Sequence, residues 1–363
     1  MKRHNIPHRR LLRSCGAGLM ILVLLLLTGS CEKGLIFPMA SGRPYEVLVI
    51  IDTELWEAPA GRALFDILDT DVPGLPQSER SFRISQADPQ HLDQALRIFR
   101  NLIMVNIDPM QFTQTRMKFT RDKYAMDQIV LNINSPSEES FREFCVAHRQ
   151  EVVDFLTKTE MNRLIKQLEK RYSKVTYDLA WQKFACKMYA PDELKSYKQG
   201  DNFFWTSNNT ATGMENICMY SYPYEGPETF NKEYILQKRD SVMKENLPGE
   251  KPGMYMQTDT LYTTVKPIVV HNGYAMEARG LWIMRNDAMG GPFVSHSRVD
   301  METGRVIVVE GFVYAPEKMK RGLMRRLEGS LYTLQLPAEQ YSMEISTDID
   351  EEPATPSSQK DDK

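Results

Sequence analysis

Buried strands that alternate with capped helices over residues 45–172 constrain the fold more than any other feature of this sequence. The strands are the apolar runs YEVLVII at 45–51, LIMVNI at 102–107 and QIVLNI at 128–133, with a further strand near 81–85. Near-continuous apolar runs are typical of strands that are covered on both faces. Helices are predicted over about 59–69, 89–100 and 135–172. Because alternating strands and helices form an α/β layer, residues 45–172 are predicted to be an N-terminal α/β domain.

Two of these helices have recognisable start signals. Asp88 is a cap followed by proline, and apolar residues recur at helical spacing up to residue 100, which predicts an amphipathic helix. Ser135 is predicted to cap the longest helix, with Glu138 completing a capping box. The apolar stripe of that helix contains Cys145 and His148, which are expected to be a buried thiol and a core histidine.

Residues 173–335 have a different pattern, in which strand-like segments outnumber helices. The predicted strands are WQKFACKMY at 181–189, NFFWTS at 202–207, NICMYSYPY at 216–224, YAMEARGLWIM at 274–284, and a hairpin over 293–314. Helices are predicted at about 228–245 and 316–329. This region is therefore expected to be a C-terminal α+β domain with a mainly antiparallel sheet and packed helices, and the whole chain to be α+β. Residues 336–363 are rich in Ser, Asp, Glu, Pro and Lys and are predicted to be a disordered tail.

The first thirty residues have the composition of an export signal. Five basic residues within the first thirteen precede an apolar run at 16–27, and Thr28-Gly29-Ser30-Cys31 follows. This order predicts a signal peptide over 1–30, because the apolar run is shorter than the ~20 residues that a membrane span needs. The end of the segment resembles the bacterial lipobox, although Leu27 lies one place early. We therefore expect a lipidated tether over 31–44, with acyl chains on Cys31 as the anchor; the alternative is a secreted protein with an incidental cysteine.

The net charge and the motif content of the sequence limit the classes of partner that the protein is expected to bind. Without residues 1–30 the chain has 40 basic and 48 acidic residues, a net charge of −8. This balance argues against a nucleic-acid partner. No phosphate-binding loop, nucleophile elbow or zinc-ligand spacing is present in the sequence, so no cofactor or metal is expected.

One catalytic pair and one disulfide are suggested by the second half. If Gly304 closes a three-residue hairpin loop, His296 lies opposite Glu310 on one strand face. Such a pair is either a general base with its orienting group or, more commonly, a structural ion pair.

Cys186 and Cys218 lie in strand-like segments and are the candidate disulfide.

Binding candidates are a glycine-rich loop and several aromatic residues. Asp287, Gly290 and Gly291 lie in a loop that either shapes a ligand site or only connects two strands tightly. Trp205, in the run Phe203-Phe204-Trp205, and Trp282 are candidates for stacking on a sugar ring, and the alternative for such residues is a central buried strand.

A family resemblance is carried by GLWIMRNDAMGGPFVSHSRVDMETGRVIVVEGFVYAP at 280–316, by NICMYSYPY and by the lipoprotein start. Together these segments resemble an uncharacterised envelope lipoprotein family of Bacteroidota, classed as a domain of unknown function. The resemblance implies an envelope location and supplies no catalytic residues. Asp259-Thr260-Leu261 and Asp240-Ser241-Val242 also resemble the O-glycosylation triplet of Bacteroidota envelope proteins, which makes Thr260 and Ser241 candidate acceptors.

These observations favour an exported, lipid-anchored cell-envelope lipoprotein that acts as a non-enzymatic binding or assembly component. Glu32 follows Cys31 where some lipoproteins retained in the inner membrane have aspartate, which favours the outer membrane. The expected partners are the membrane, through the lipid on Cys31, and an envelope protein or glycan. The alternatives are an envelope hydrolase that uses His296 and Glu310, and a carbohydrate-binding lipoprotein.

Overall fold

The computed structural model describes residues 37–339 and 343–354. Cys31 and the predicted signal peptide lie outside these residues. Met39–Lys363 forms one compact unit and Met1–Pro38 another; Phe37 and Pro38, the described residues of the latter, are both exposed. Within the described residues, the strands form a five-stranded sheet and a seven-stranded sheet.

The first sheet is mostly parallel and has the strand order β2-β1-β3-β5-β4, in which only β4 is antiparallel to its neighbour. Its strands are β1 (Glu46–Ile50), β2 (Arg83–Ala87), β3 (Asn101–Ile107), β4 (Arg116–Arg121) and β5 (Ile129–Ser135). Its helices are α1 (Thr53–Glu57), α2 (Pro59–Leu68), α3 (Gln94–Arg97), α4 (Glu138–Ala147) and α5 (Arg149–Lys170). The predicted α/β layer is confirmed.

Both faces of this sheet are covered, as the apolar runs predicted. Val47 and Val49 of β1 belong to the main core together with residues of α2, α4 and α5. The alternate residues Leu48 and Ile50 belong to a smaller cluster on the other face. Alternation of side chains along a strand places these two sets on opposite faces.

Two helix predictions in this half are wrong in detail. The amphipathic helix over 89–100 is replaced by a 3-10 turn at Pro89–His91 and the four-residue α3. Asp88 and Asp93 each accept a backbone N–H bond, from Gln90 and Leu96, so two separate turns begin where one helix was expected.

The predicted helix over 135–172 begins later and is divided into two. Ser135 ends β5, and Ser137 is the cap that accepts the N–H of Ser140. His148 separates α4 from α5 and is not a core residue: its ring stacks on Phe144 with centroids 4.1 Å apart, its Nδ1 lies 2.6 Å from Glu151, and its side chain is 42% exposed.

The second sheet is antiparallel throughout and has the strand order β6-β7-β8-β12-β11-β10-β9. Its strands are β6 (Ser196–Gly200), β7 (Phe203–Ser207), β8 (Met214–Pro223), β9 (Met256–Val270), β10 (Gly273–Met284), β11 (Gly290–Asp300) and β12 (Arg305–Tyr314). Its helices are α6 (Lys174–Phe184), α7 (Lys232–Asn246) and α8 (Arg321–Leu331). The α+β class is confirmed.

Helices cover both faces of the second sheet. One core contains residues of α6 and α8, including Leu179 and Leu327, and the other contains Ile235 and Met243 of α7. The predicted strand WQKFACKMY is wrong, because its first four residues end α6. Ser173 caps this helix, and Ala185 ends it in the left-handed conformation with φ at 53°.

The predicted tail is packed where the structure describes it. Residues 343–354 lie along β4, where Glu351 forms a parallel bridge with Phe119, and Ile349 joins the first core. The prediction of a disordered tail over 336–363 is therefore wrong for residues 336–339 and 343–354. The apolar side chains of Met343 and Ile349 are buried there, with 6% and 7% exposure. Within the described part of the chain, no helix is long and apolar enough to cross a bilayer.

Candidate functional site

The β11–β12 hairpin places His296 and Glu310 on opposite faces of the sheet. Asp300 pairs with Arg305 across a four-residue loop, so Ser295 lies opposite Glu310 and His296 opposite Val309. The Asp300 carboxylate accepts bonds from Glu302 N–H and Thr303 Oγ1 and holds this longer turn. The register is shifted by one residue from the predicted one, and such a shift reverses the face of every side chain. The predicted His296–Glu310 pair is therefore wrong.

Glu310 belongs to a buried ion pair instead. Its two oxygens accept bonds of 2.9 and 2.7 Å from Arg239 of α7, and both side chains are at most 1% exposed. The Arg239 guanidinium also lies 3.9 Å from the ring centre of Phe293 and donates to Thr258. This enclosed arrangement fits a structural ion pair and leaves no room for a substrate.

The predicted disulfide is not formed. Cys186 and Cys218 are both free and buried, together with Cys145. Cys186 lies in the core beneath α6 and α8, whereas Cys218 lies in the core beneath α7, on the other face of the sheet. Burial raises the pKa of Cys186 to about 12, so its thiol is a poor nucleophile.

The candidate aromatic residues are packed into the protein. Trp282 is 2% exposed and donates its indole N–H to the carbonyl of Val313. Phe203 and Phe204 are fully buried, and half-buried Trp205 donates to Asn216. The burial of Trp282, Phe203 and Phe204 excludes them as a stacking surface for a sugar.

The glycine-rich loop is a tight connection between β10 and β11. Asp287 accepts the N–H of Met289 and holds the turn. A Cβ on Gly291 would lie 2.0 Å from the Val313 carbonyl oxygen, and one on Gly290 would lie 2.9 Å from the Trp282 carbonyl oxygen. Both glycines are thus explained by close strand contacts.

The candidate glycosylation residues are both accessible. Thr260 is exposed in an irregular part of β9, where the pairing with β10 shifts, and Ser241 is exposed on α7. The neighbouring Asp240 accepts bonds from the N–H and hydroxyl of Thr258 and is therefore engaged in packing.

A cleft of about 1230 Å³ lies between the two sheets, and no candidate residue from the sequence lines it. One wall is α5 with the irregular segment 344–351, and the other is the turn between β9 and β10 with the end of β9. Helix α8 contributes to the floor. The volume exceeds the roughly 300–1,000 Å³ of sites for small ligands. It suits a ligand as large as a peptide or an oligosaccharide.

Buried charges form the floor of this cleft. Arg279 of β10 bonds to Glu277 at 3.2 and 3.0 Å and also to Glu328 of α8. Arg325, one turn before Glu328, donates to it at 2.9 Å. All four side chains are 7% exposed or less, so the network is rigidly held by the sheet and the helix.

The network keeps its carboxylates ionised. Burial alone would raise the pKa of Glu277, but Arg279 and His296 lower it, and the net pKa lies well below its ordinary value. The same balance, with Arg279 and Arg325 as the lowering groups, depresses the pKa of Glu328. Burial raises the pKa of Tyr332 at the same floor, so its phenol stays protonated.

His296 lies behind this floor and has no access to it. It is fully buried, its ring meets Tyr332 edge-on with centroids 4.8 Å apart, and its Nε2 is 3.8 Å from Glu277. That distance is too long for a hydrogen bond. A general base must reach the proton that it removes, so His296 is a supporting residue of the floor.

Two polar atoms at the cleft lack a hydrogen-bond partner within the described residues. They are Thr157 Oγ1 of α5 and Arg325 Nε of α8, whose side chains line the cleft and whose residues are 8% and 5% exposed. Buried polar atoms normally find a partner, so these two mark places where the polar packing beside the cleft is incomplete. Arg279 and Arg325 line the cleft and supply positive charge at its floor. Of the described residues, no group of three His, Cys, Asp or Glu side chains is placed to hold a metal.

The sequence contained weak signals for this floor. Glu277 and Arg279 alternate along the strand, and Arg325 and Glu328 are three residues apart on a helix, the spacing of an ion pair on one helix face. Neither pattern shows that these four charged residues are buried, because charged residues occur with the same spacing on exposed strands and helices.

Comparison with protein-family models covers both halves of the chain. Residues 173–333 match a domain of unknown function, DUF4837. Residues 40–169 match a second domain of unknown function, DUF8532. The DUF4837 region contains β10 and α8, and the DUF8532 region contains α5, so the cleft is built from both. A comparison with curated proteins gives no match.

Proposed function

We propose that this protein is a lipid-anchored component of the cell envelope that binds a partner in the cleft between its two sheets. The observation that carries the proposal is the cleft itself, with a floor of buried charges that are held in ion pairs. A binding role is favoured over catalysis because Arg279 fixes Glu277 and Glu328 in ion pairs, and the nearby imidazole of His296 is out of reach.

The location is part of the same proposal. The basic, apolar and small-residue segments before Cys31 support export and acylation, and Glu32 favours the outer membrane. Thr260 and Ser241 are proposed as glycan acceptors on the exposed surface. An envelope protein segment or a glycan is the expected class of ligand, since both fill a large cleft with mixed polar lining.

Photo-crosslinking in intact cells tests the cleft. A photoreactive amino acid is placed at Lys266 on one wall and, separately, at Arg149 on the other. Matched controls carry it at Lys174 and Arg142, which have exposed side chains and do not line the cleft. We expect the same adduct from both walls and from neither control. Adducts that are equal at all four positions, or absent from both walls, would contradict a binding cleft.

A further inference from the structure

The outer edge of β4 is occupied by the chain's own C-terminal segment, 343–354. Phe119 N–H donates to Asp350 O at 3.1 Å, and Glu352 N–H donates to Phe119 O at 2.7 Å. β4 is the last strand in the order of the first sheet, and these bonds form one isolated parallel bridge, Phe119 with Glu351, at its edge. Addition of an extended segment to a sheet edge is a common mode of peptide recognition.

A side chain of α5 holds the backbone of the same segment. Asn162 Nδ2 donates to Ile345 O at 2.9 Å, and Ile345 N–H donates to Asn162 Oδ1 at 2.7 Å. This pair of bonds to the N–H and C=O of one residue, Ile345, recognises extended backbone whatever the side chain. Ile349 supplies the apolar contact, at 7% exposure in the first core. The segment thus has a backbone clasp at Ile345 and an aliphatic anchor at Ile349, four residues apart, and Met343 is a second buried apolar residue at 6% exposure.

Charge complementarity adds the remaining contacts. Arg121 pairs with Glu344 at 3.0 Å and with Glu351 at 3.2 Å, and these side chains are 37–48% exposed. Two further ion pairs join Lys118 to Glu352 at 3.1 Å and Lys158 to Asp348 at 3.5 Å. Exposed ion pairs are weakened by salt, so much of this attachment is sensitive to ionic strength.

The packing beneath the segment is incomplete. A cavity of about 50 Å³ lies between Thr347, Asn162 and the end of β4. On its other side the segment forms part of the cleft wall, from Glu344 to Glu351. Removing the segment would therefore widen the cleft and expose the edge of β4.

We propose that the groove between β4 and α5 is a strand-addition site for an extended acidic peptide segment, and that residues 343–354 are its releasable occupant. The partner would supply an aliphatic residue at the place of Ile349 and carboxylates at the places of Glu344 and Glu351. This inference goes beyond the proposed function and does not depend on what the cleft binds, since it rests on the contacts of β4 and Asn162.

The test uses the full chain with a protease recognition sequence in place of residues 340–342. After cleavage, the C-terminal fragment is followed by gel filtration at about 50 mM and about 1 M salt. We expect the fragment to stay bound at low salt and to leave at high salt, with the body still folded by thermal melting. A synthetic peptide of residues 343–354, added back at low salt, should rebind, and high salt should weaken its affinity at least about tenfold.

Two variants separate recognition from general damage. Asn162→Ala should weaken peptide binding about tenfold, whereas Gln167→Ala, at an exposed position of the same helix, should have no effect. Arg121→Glu should weaken binding of the natural peptide and restore it for a peptide with Glu344→Lys and Glu351→Lys. Retention of the fragment at both salt concentrations, unfolding of the body on its release, or equal binding by the Asn162 and Gln167 variants would overturn the proposal. A failed cleft crosslink with successful peptide exchange would reject only the proposed function.

Discussion

Glu277 and Glu310 are buried on opposite faces of the second sheet, and each is bound by an arginine. Glu310 meets Arg239 from α7, and Glu277 meets Arg279 from its own strand. The cost of moving a charge out of water is large, so each carboxylate depends on its partner. The two glutamates differ in surroundings: Glu310 is enclosed, whereas Glu277 lies at the floor of the cleft.

Glu310→Ala should lower the free energy of unfolding by about 3–5 kcal/mol, because the buried Arg239 charge loses both of its bonds to Glu310 and keeps only Asp240 at 3.7 Å as an acidic neighbour. The exposed hairpin residue Glu302 provides the control, and Glu302→Ala should change stability by less than about 0.5 kcal/mol. Urea unfolding measures both. The double variant Arg239→Met with Glu310→Leu should recover most of the loss. A loss below about 1 kcal/mol for Glu310→Ala would show that the pair is not buried as described.

Glu277 should make the stability depend on pH in the acid range. Its folded pKa lies below the ordinary carboxyl value of 4.5, so its contribution is complete above that pH and is lost as pH falls towards the folded pKa. The difference in unfolding free energy between the parent and Glu277→Gln should therefore be largest near neutral pH and should shrink below about pH 4. Glu233→Gln, at an exposed position of α7, should show no such trend. A difference that stays constant across this range would exclude the ion pair as its source.

At the scale of elements, α8 joins the two sheets. Its first N–H groups, on Lys320 and Arg321, donate to the carboxylate of Glu79 at 2.7 and 2.8 Å, and Glu79 precedes β2 in the first sheet. Near the other end of the helix, Gly329 lies against Leu164 of α5. A carboxylate at a helix N-terminus also interacts favourably with the helix dipole.

Glu79→Ala should destabilise the protein by about 1–3 kcal/mol, because it leaves the N–H groups of buried Lys320 and part-buried Arg321 without their acceptor. Glu57→Ala, at an exposed position of α1, is the matched control and should be close to neutral. Chemical unfolding gives the stability, and hydrogen exchange of residues 320–325 reports the fraying of the helix. Unchanged exchange at α8 would contradict the capping role.

Gly291 should not tolerate a side chain. A Cβ there would lie 2.0 Å from Val313 O and 3.1 Å from Trp282 Nε1, so β11 and β12 would have to move apart. Gly291→Ala is expected to cost about 2 kcal/mol or more in thermal unfolding. Gly322→Ala, in a helix with nothing within 4 Å, should be neutral or stabilising. If both substitutions had the same effect, the close strand contact would not explain the glycine.

The elements that the sequence predicted well are those with a strong local signal. β1, β3 and β5 follow from apolar runs, and α2 follows from Pro59 at its first position. The helix over 89–100 and the strand at 181–189 were wrong because a nearby cap, on Asp93 or Ser173, decided the local structure. Apolar spacing in short segments does not distinguish these outcomes.

At the scale of the whole molecule, the proposed lipid anchor lies at Cys31, outside the described residues. Cys31→Ala should abolish acylation and leave the protein unanchored, since no helix within the described residues can span a bilayer. Metabolic labelling with an alkyne fatty acid measures the modification. Cys15→Ala, a cysteine substitution in the predicted signal peptide, should keep the label. Equal labelling of the Cys31 variant and the parent would reject the lipoprotein proposal.

The sequence by itself determined the fold class, most strands and the presence of two differently built halves, because apolar periodicity and turn residues act over a few neighbours. Only the tertiary structure decided which polar residues are buried together. The His296–Glu310 prediction was wrong because the predicted strand pairing in the hairpin was shifted by one residue. The turn that Asp300 holds determines this pairing. The cleft floor joins Glu277 and Arg279 of one strand to Arg325 and Glu328 of a helix about fifty residues later. Local sequence carries no information on such distant contacts, since they exist only once α8 packs on the sheet.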